Sequence, residues 1–322
     1  MNKTILVTGG AGYIGSHTCK ALAARGYTPV TLDNLSNGHE WAVKWGPLVK
    51  GDTGDRALLD DVFARYRPSG VIHFAAFIEV GVSVREPGSF YRNNACSTLN
   101  VLEAMRAHGC ERFVFSSTAA VYGTPRQVPI TEDHPQWPIN PYGWSKFMVE
   151  RMLEDFGRAH GTRFCALRYF NAAGADPEGE IGEAHDPESH LIPLVLRAAK
   201  DPARSISIFG TDYDTPDGTC VRDYIHVCDL ADAHIRALQF LEDHGPAAVN
   251  LGTGAGNSVK EIIDAARAVT GLPIEPVIGP RRPGDPARLV ADRALAGELL
   301  GWTPQHLDIR ETIAHAWAWM NR

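Results

Sequence analysis

Ile5-Leu6-Val7-Thr8-Gly9-Gly10-Ala11-Gly12-Tyr13-Ile14-Gly15 is the stretch that decides how the N-terminal half is read. An apolar, strand-forming run enters a glycine-rich turn, and the turn opens a helix. Glycines at 9, 12 and 15 let the backbone turn tightly and approach a pyrophosphate, with helix N–H groups and the positive helix end aimed at it. The spacing has one more residue between the first two glycines than G-x-G-x-x-G. Such a motif is weak alone, but here it sits between a strand and a helix in an alternating pattern. Outward from it, predicted strands at 5–7, 29–32, 48–50, 71–74, 113–115 and 164–167 are separated by segments with helical spacing, such as Ala57, Leu58, Val62, Phe63 and Tyr66. That alternation predicts an α/β chain with a Rossmann-type, doubly wound parallel sheet.

At 322 residues the chain is too long for one ordinary core, and two domains are expected. After Asn171 the order changes: Gly, Pro, Asp and Glu dominate 172–189. We divide the chain into a dinucleotide-binding domain at 1–170 and a smaller mixed α/β substrate domain at 171–322. A strand and helix near 226–252 are expected to return to the first domain. Hydrophobic residues are 44% and charged residues 21%, which excludes disordered and fibrous classes. With 31 basic against 38 acidic residues the net charge is −7, so no general attraction to nucleic acid or anionic membrane is expected. Six scattered cysteines contain no Cys-x-x-Cys pair, so neither a metal site nor a disulfide framework is expected. No signal-peptide pattern and no run of 18 apolar residues occur, which predicts a cytoplasmic protein.

The candidate site residues follow the strand ends. Asp33 ends the second strand, where a carboxylate accepts hydrogen bonds from adenosine ribose hydroxyls and repels a 2′-phosphate. Asn34, Leu35 and Ser36 follow it, with no adjacent cation, which favours NAD over NADP. Asp52 closes the third strand within reach of an adenine. Phe74, Ala75 and Ala76 close the fourth, the two alanines being small enough to admit a dinucleotide. After the fifth strand come Ser116-Ser117-Thr118, and then Pro141-Tyr142-Gly143-Trp144-Ser145-Lys146. Pro141 suits the first position of a helix, so Tyr142 and Lys146 share one helix face. A phenol is too weakly acidic to serve as a base at neutral pH, and a neighbouring ammonium is expected to favour the phenolate.

These motifs together resemble the extended short-chain dehydrogenase/reductase superfamily, and more closely its UDP-glucose 4-epimerases. The resemblance runs from Thr4 to Trp302 and includes Asn93, Arg168-Tyr169-Phe170-Asn171, His190-Leu191-Ile192-Pro193, 221–227 and 281–285. It implies interconversion of UDP-glucose and UDP-galactose with bound NAD, by oxidation at C4, rotation of the keto sugar and re-reduction. In that scheme Thr118 hydrogen-bonds the sugar oxygen and Tyr142 is the base, assisted by Lys146. Gly9, Gly12, Tyr13, Ile14, Gly15, Asp33, Asn34, Asp52, Phe74, Ala75, Ala76, Asn93, Tyr142, Lys146 and Tyr169 would line the cofactor. Asn171, Arg222, Arg282 and Asp285 would hold the UDP, because a diphosphate suits guanidinium forks. The substrate side extends to His190, Leu191, Phe209 and Leu289. A homodimer through two paired helices is implied as well, and Phe147, Met148, Val149, Met152, Leu153 and Phe156 cover more than one helix stripe.

Three positions depart from the family pattern. Ile78 stands in place of a lysine near the cofactor phosphates, and His190 in place of an asparagine near the uridine; in both, a backbone N–H is expected to serve the ligand. Leu289 replaces a tyrosine that bounds the sugar pocket. Nucleotide-sugar dehydratases and decarboxylases are disfavoured, because Ala119 and Ala120 stand where such enzymes carry acidic residues. An epimerase of UDP-N-acetylglucosamine and a non-catalytic dinucleotide sensor are the remaining alternatives.

Overall fold

Strands rich in Val, Ile, Leu and Phe with no polar face must be covered on both sides, and that is how they are used here. The computed structural model describes residues 3–201, 203–282 and 285–322. The first half runs β1 (Thr4–Thr8), α1 (Tyr13–Ala24), β2 (Thr28–Asp33), β3 (Leu48–Lys50), α2 (Arg56–Tyr66) and β4 (Gly70–His73). Two short helices follow, α3 (Val80–Arg85) and α4 (Pro87–Phe90). Then come α5 (Ser97–Ala107), β5 (Arg112–Ser116), α6 (Pro141–His160) and β6 (Arg163–Tyr169). The second half contains β7 (Asn171–Ala173), α7 (Leu191–Lys200), β8 (Ile206–Phe209), β9 (Val221–Arg222), β10 (Tyr224–His226) and α8 (Val227–Asp243). It ends with β11 (Ala247–Leu251), β12 (Asn257–Ser258), α9 (Val259–Thr270), β13 (Pro276–Gly279), β14 (Arg288–Leu289), α10 (Ala294–Leu300) and α11 (Ile309–Met320).

The main sheet has seven strands in the order β3-β2-β1-β4-β5-β6-β11. Every pairing in it is parallel. Alternate residues divide between its faces: Ile5, Val7, Ile72, Val114 and Leu167 join a core with α8, while Leu6, Val30, Val71, Phe113 and Phe115 join another with α2, α5 and α6. The order reverses between β1 and β4, so the crevice beyond their C-terminal ends is the place a ligand of this fold occupies. The doubly wound sheet expected from the alternation is present. A separate core of Ile192, Val195, Leu196, Ile206, Ile208, Ile262 and Ile263 holds α7, α9 and β8 together.

α6 carries Tyr142 and Lys146, and its position is doubly fixed. At its start Asn140 Oδ1 accepts from Gly143 N (2.8 Å), with Pro141 in the first turn. Further along, buried Glu150 faces buried Arg168 on β6. Arg168 Nε donates to Oε1 at 3.0 Å and Nη2 to Oε2 at 2.6 Å, a two-point guanidinium–carboxylate pair. Ser117 Oγ donates to the same carboxylate (2.5 Å), and Arg168 Nη1 donates to Tyr122 Oη (2.9 Å). Tyr122 in turn donates to Asn250 Oδ1 on β11 (2.6 Å). Removing one partner strands a buried charge, so Glu150→Ala should lower the unfolding free energy by about 3–5 kcal/mol in urea denaturation. A loss below about 1 kcal/mol would show that water reaches Arg168 and satisfies it.

Candidate active site

The glycine turn and the end of β4 meet at the crevice. A Cβ on Gly15 would lie 2.2 Å from Gly9 O, so only glycine lets α1 pack this closely on the turn. α1 begins at Gly12 without a side-chain cap and without an acidic residue in its first turn. Its first N–H groups and positive end are therefore left for an anion. The Tyr13 hydroxyl donates to Gly174 O (2.6 Å), across to the second half. Asp33 is buried and accepts from Ala11 N (3.0 Å) and Leu35 N (2.8 Å). Burial raises its pKa, and the two backbone donors oppose that rise. Asn34 Nδ2 donates to Asp52 Oδ2 (2.8 Å), so these two predicted residues sit together at the rim. The uncapped helix end, the close glycine packing and the Asp33 carboxylate fit a dinucleotide.

Thr118 and Tyr142 meet beyond the end of β5. Thr118 Oγ1 accepts from Ala120 N (3.1 Å), and its hydroxyl beside Tyr142 partly offsets the rise that burial imposes on the phenol. Gly143, in the first turn of α6, lets the helix pack closely on the segment after Thr118: a Cβ there would lie 2.7 Å from Ala120 O. Lys146 is buried, its Nζ donates to Ser116 O (2.8 Å), and burial pulls its pKa down to about 7. Lys146 is turned to the strand-end carbonyl, while burial holds Tyr142 above its ordinary value. Tyr169 Oη shares a hydrogen with Ser116 Oγ (2.5 Å), completing a polar row of Thr118, Tyr142, Ser116 and Lys146.

On the facing side, Arg222 on β9 pairs with Asp285 and pairs in register with Leu289 of β14. The Arg282 guanidinium lies 4.0 Å from the centre of the Phe209 ring. Asn171 Nδ2 donates to Asp223 O (3.1 Å) beside them. Leu289 packs on Ala119, Val121 and Tyr122, next to Thr118. Leu191 opens α7 and packs on the second-half core. His190 behaves differently. Its N–H donates to Glu188 (2.9 Å) and its Nδ1 contacts Glu183 at 2.6 Å, so neither donor is free in the way expected for a ligand-facing position. Burial opposes its charge, but Glu183 and Glu188 push its pKa up to about 10. Of the quoted 281–285 motif, Pro283 and Gly284 lie outside the described residues.

The profile of the NAD dependent epimerase/dehydratase family matches residues 5–252. The UDP-glucose 4-epimerase of Rhizobium meliloti (strain 1021) is 56% identical over 322 residues, covering 100% of this chain and 98% of that protein. The chain belongs to the NAD dependent epimerase/dehydratase family. Among solved structures, the UDP-glucose 4-epimerase from Brucella ovis in complex with NAD superposes with a TM-score of 0.96 at 50% identity, covering 98% of each chain. That from Bifidobacterium longum, in complex with NAD+ and UDP, gives 0.94 at 42% identity, covering 99% of this chain and 98% of the other.

Two residues of this family member that hold the site were not singled out from sequence. Asn94, buried beside Asn93, accepts from Phe77 N (2.8 Å) and donates to Phe77 O (3.0 Å) and Ser145 Oγ (3.0 Å), tying the segment after β4 to α6. Asp223 accepts from Thr253 N and Oγ1 (2.8 and 2.7 Å) and from Ala291 N (3.2 Å), gathering three segments behind Arg222 and Leu289. Both are polar residues inside quoted or neighbouring motifs, and only their fully buried setting marks them.

A buried lysine with a lowered pKa destabilises the fold while it is charged. Lys146→Met should therefore stabilise the protein by about 1–3 kcal/mol below pH 7, where both folded and unfolded wild type hold the proton. The gain should shrink as pH rises from about 7 towards the unfolded lysine value. Urea midpoints of the two proteins across pH 6–10 check this, and a gain that grows with pH would contradict it.

Proposed function

We propose that this chain interconverts UDP-glucose and UDP-galactose by reversible oxidation at C4 of the hexose. The observation that carries the reading is that α6 sets Tyr142 and buried Lys146 one helical turn apart, with Lys146 Nζ bound to Ser116 O (2.8 Å) at the C-terminal edge of β5, two residues before Thr118. NAD, held by the first turn of α1, Asp33 and the Asn34–Asp52 rim, supplies reversible hydride acceptance when bound. Tyr142 accepts the proton of the sugar 4-hydroxyl, and Thr118 holds that oxygen. Lys146 stabilises the phenolate by charge when protonated. Arg222, Arg282 and Asn171 hold the diphosphate and uridine end, with Asp285 fixing the Arg222 fork. The hexose is left free to turn about its link to the diphosphate, presenting its other face for return of the hydride. Ala119 and Ala120 carry no proton, so nothing beside Thr118 promotes loss of water.

The division near residue 170 into cofactor and substrate halves belongs to the same proposal, as does a cytoplasmic location. Among the described residues no helix is long and apolar enough to cross a membrane. A homodimer is proposed through α5 and α6. Val149 and Leu153 of α6 are buried in the core, whereas Phe147, Met148 and Met152 line an apolar groove of 390 Å³ with Leu99 and Trp144. Two stripes on one helix are thus explained by two different surfaces.

Tyr142→Phe should retain NAD and UDP-sugar binding and lose ~10²–10⁴-fold in kcat, because the change removes only the proton acceptor. Near-normal turnover of that variant would remove Tyr142 from the role of base. Leu289, partly buried beside Ala119, is intermediate in size between a pocket-filling tyrosine and an open serine. We expect UDP-N-acetylglucosamine to fall ~10–200-fold behind UDP-galactose in kcat/KM. Leu289→Tyr should widen that gap and Leu289→Ser narrow it, and a ratio that ignores side-chain size would place Leu289 outside the sugar pocket.

A further inference from the structure

Glu183, His185, Glu188 and His190 lie within eight residues, on the segment that leads into α7. One ligand atom from each lies within 4.8 Å of all the others. The two carboxylates are almost wholly shielded, with side-chain exposures of 7% and 1%. His190 Nδ1 lies 2.6 Å from Glu183 Oε1 and 3.4 Å from Glu188 Oε1; His185 Nδ1 lies 3.0 and 3.9 Å from the same atoms. Four ligands on a tetrahedron about 2.0–2.1 Å from a zinc ion would be about 3.3 Å apart. The observed distances bracket that value.

We propose that these four residues form a binding site for one divalent transition cation of the zinc class. Two imidazole nitrogens and two carboxylate oxygens are a borderline donor set that suits zinc better than magnesium or calcium, which take oxygen alone. Two buried carboxylates together carry the charge that a divalent ion neutralises, and its binding displaces the proton now held between His190 Nδ1 and Glu183. The segment is held for this by contacts that use none of the four ligand groups: Trp319 Nε1 donates to Glu183 O (3.0 Å) and Arg197 Nη2 to His185 O (3.2 Å). Four protein ligands close the coordination shell, so the ion is structural. Its place is telling, because the His185 ring lies 6.2 Å from that of Tyr13, the first residue of α1. The ion locks the segment before α7 onto itself and fixes the His185 ring against Tyr13 at the start of α1.

The test uses the full chain freed of metal with a chelator and then titrated with Zn2+, Mg2+ and Co2+ by calorimetry. We expect one Zn2+ per chain, a rise in Tm on binding, and at least ~100-fold weaker binding of Mg2+. His185→Ala should weaken Zn2+ binding at least ~100-fold. His315→Ala should leave it unchanged; His315 belongs to a second imidazole group with His226 and His306. Should the His185 variant fold poorly, the Co2+ form of the wild type decides. Tetrahedral nitrogen–oxygen ligand-field bands without a thiolate charge-transfer band support the site, and a weak octahedral spectrum overturns it. Absence of stoichiometric Zn2+ binding overturns it, as does retention of the ion by His185→Ala.

Discussion

The catalytic face depends on one buried ion pair. Glu150 and Arg168 join the helix that bears Tyr142 and Lys146 to the strand beside β5, and Ser117 ties the same carboxylate to the strand end itself. Such a pair is not a source of large net stability, since desolvating two charges offsets most of their attraction. What it contributes is register. Slipping α6 by one residue would leave a guanidinium and a carboxylate unpaired in the core, so Tyr142 has only one place to stand relative to Thr118.

Around that fixed frame the site works against its own solvation. Burial raises the phenol of Tyr142, which keeps the proton it would hold in water, and lowers Lys146 to about 7, toward loss of the charge it would carry there. A lysine poised near neutrality is one whose charge responds to what arrives beside it. The substrate side is built differently. Arg222 is braced by Asp285, Arg282 rests on Phe209, and Asp223 pulls three chain segments together behind them. In the proposed reaction, firm anchoring at the nucleotide end, with only apolar Leu289 and small alanines beside Thr118, is what a hexose that must turn over requires.

Much of this was legible in the amino-acid order. The seven strand positions read from apolar runs lie in the sheet, because parallel strands buried on both faces leave an uninterrupted signal. Gly9, Gly12 and Gly15 and the Tyr142/Lys146 spacing were visible because they are local. What depends on distant partners was not. Asn94 and Asp223 look like ordinary polar residues until the fold surrounds them. The direction of Lys146 toward Ser116 O rather than toward Tyr142 depends on a strand thirty positions away in the chain. His190 was read as a ligand-side variant; its role depends on Glu183 and Glu188, which lie within the same loop and carried no recognised spacing. Cysteine arithmetic alone could not have drawn attention to the cation site we propose from Glu and His.

The central claim is that hydrogen leaves C4 and returns to the same carbon within one bound complex. UDP-galactose carrying deuterium at C4 tests it directly, with the UDP-glucose product examined by mass spectrometry and NMR. The account predicts that deuterium remains at C4 of the product, with none in solvent and no net formation of reduced cofactor. Product in which C4 carries solvent hydrogen, or free UDP-4-keto-hexose accumulating with reduced cofactor, would contradict it.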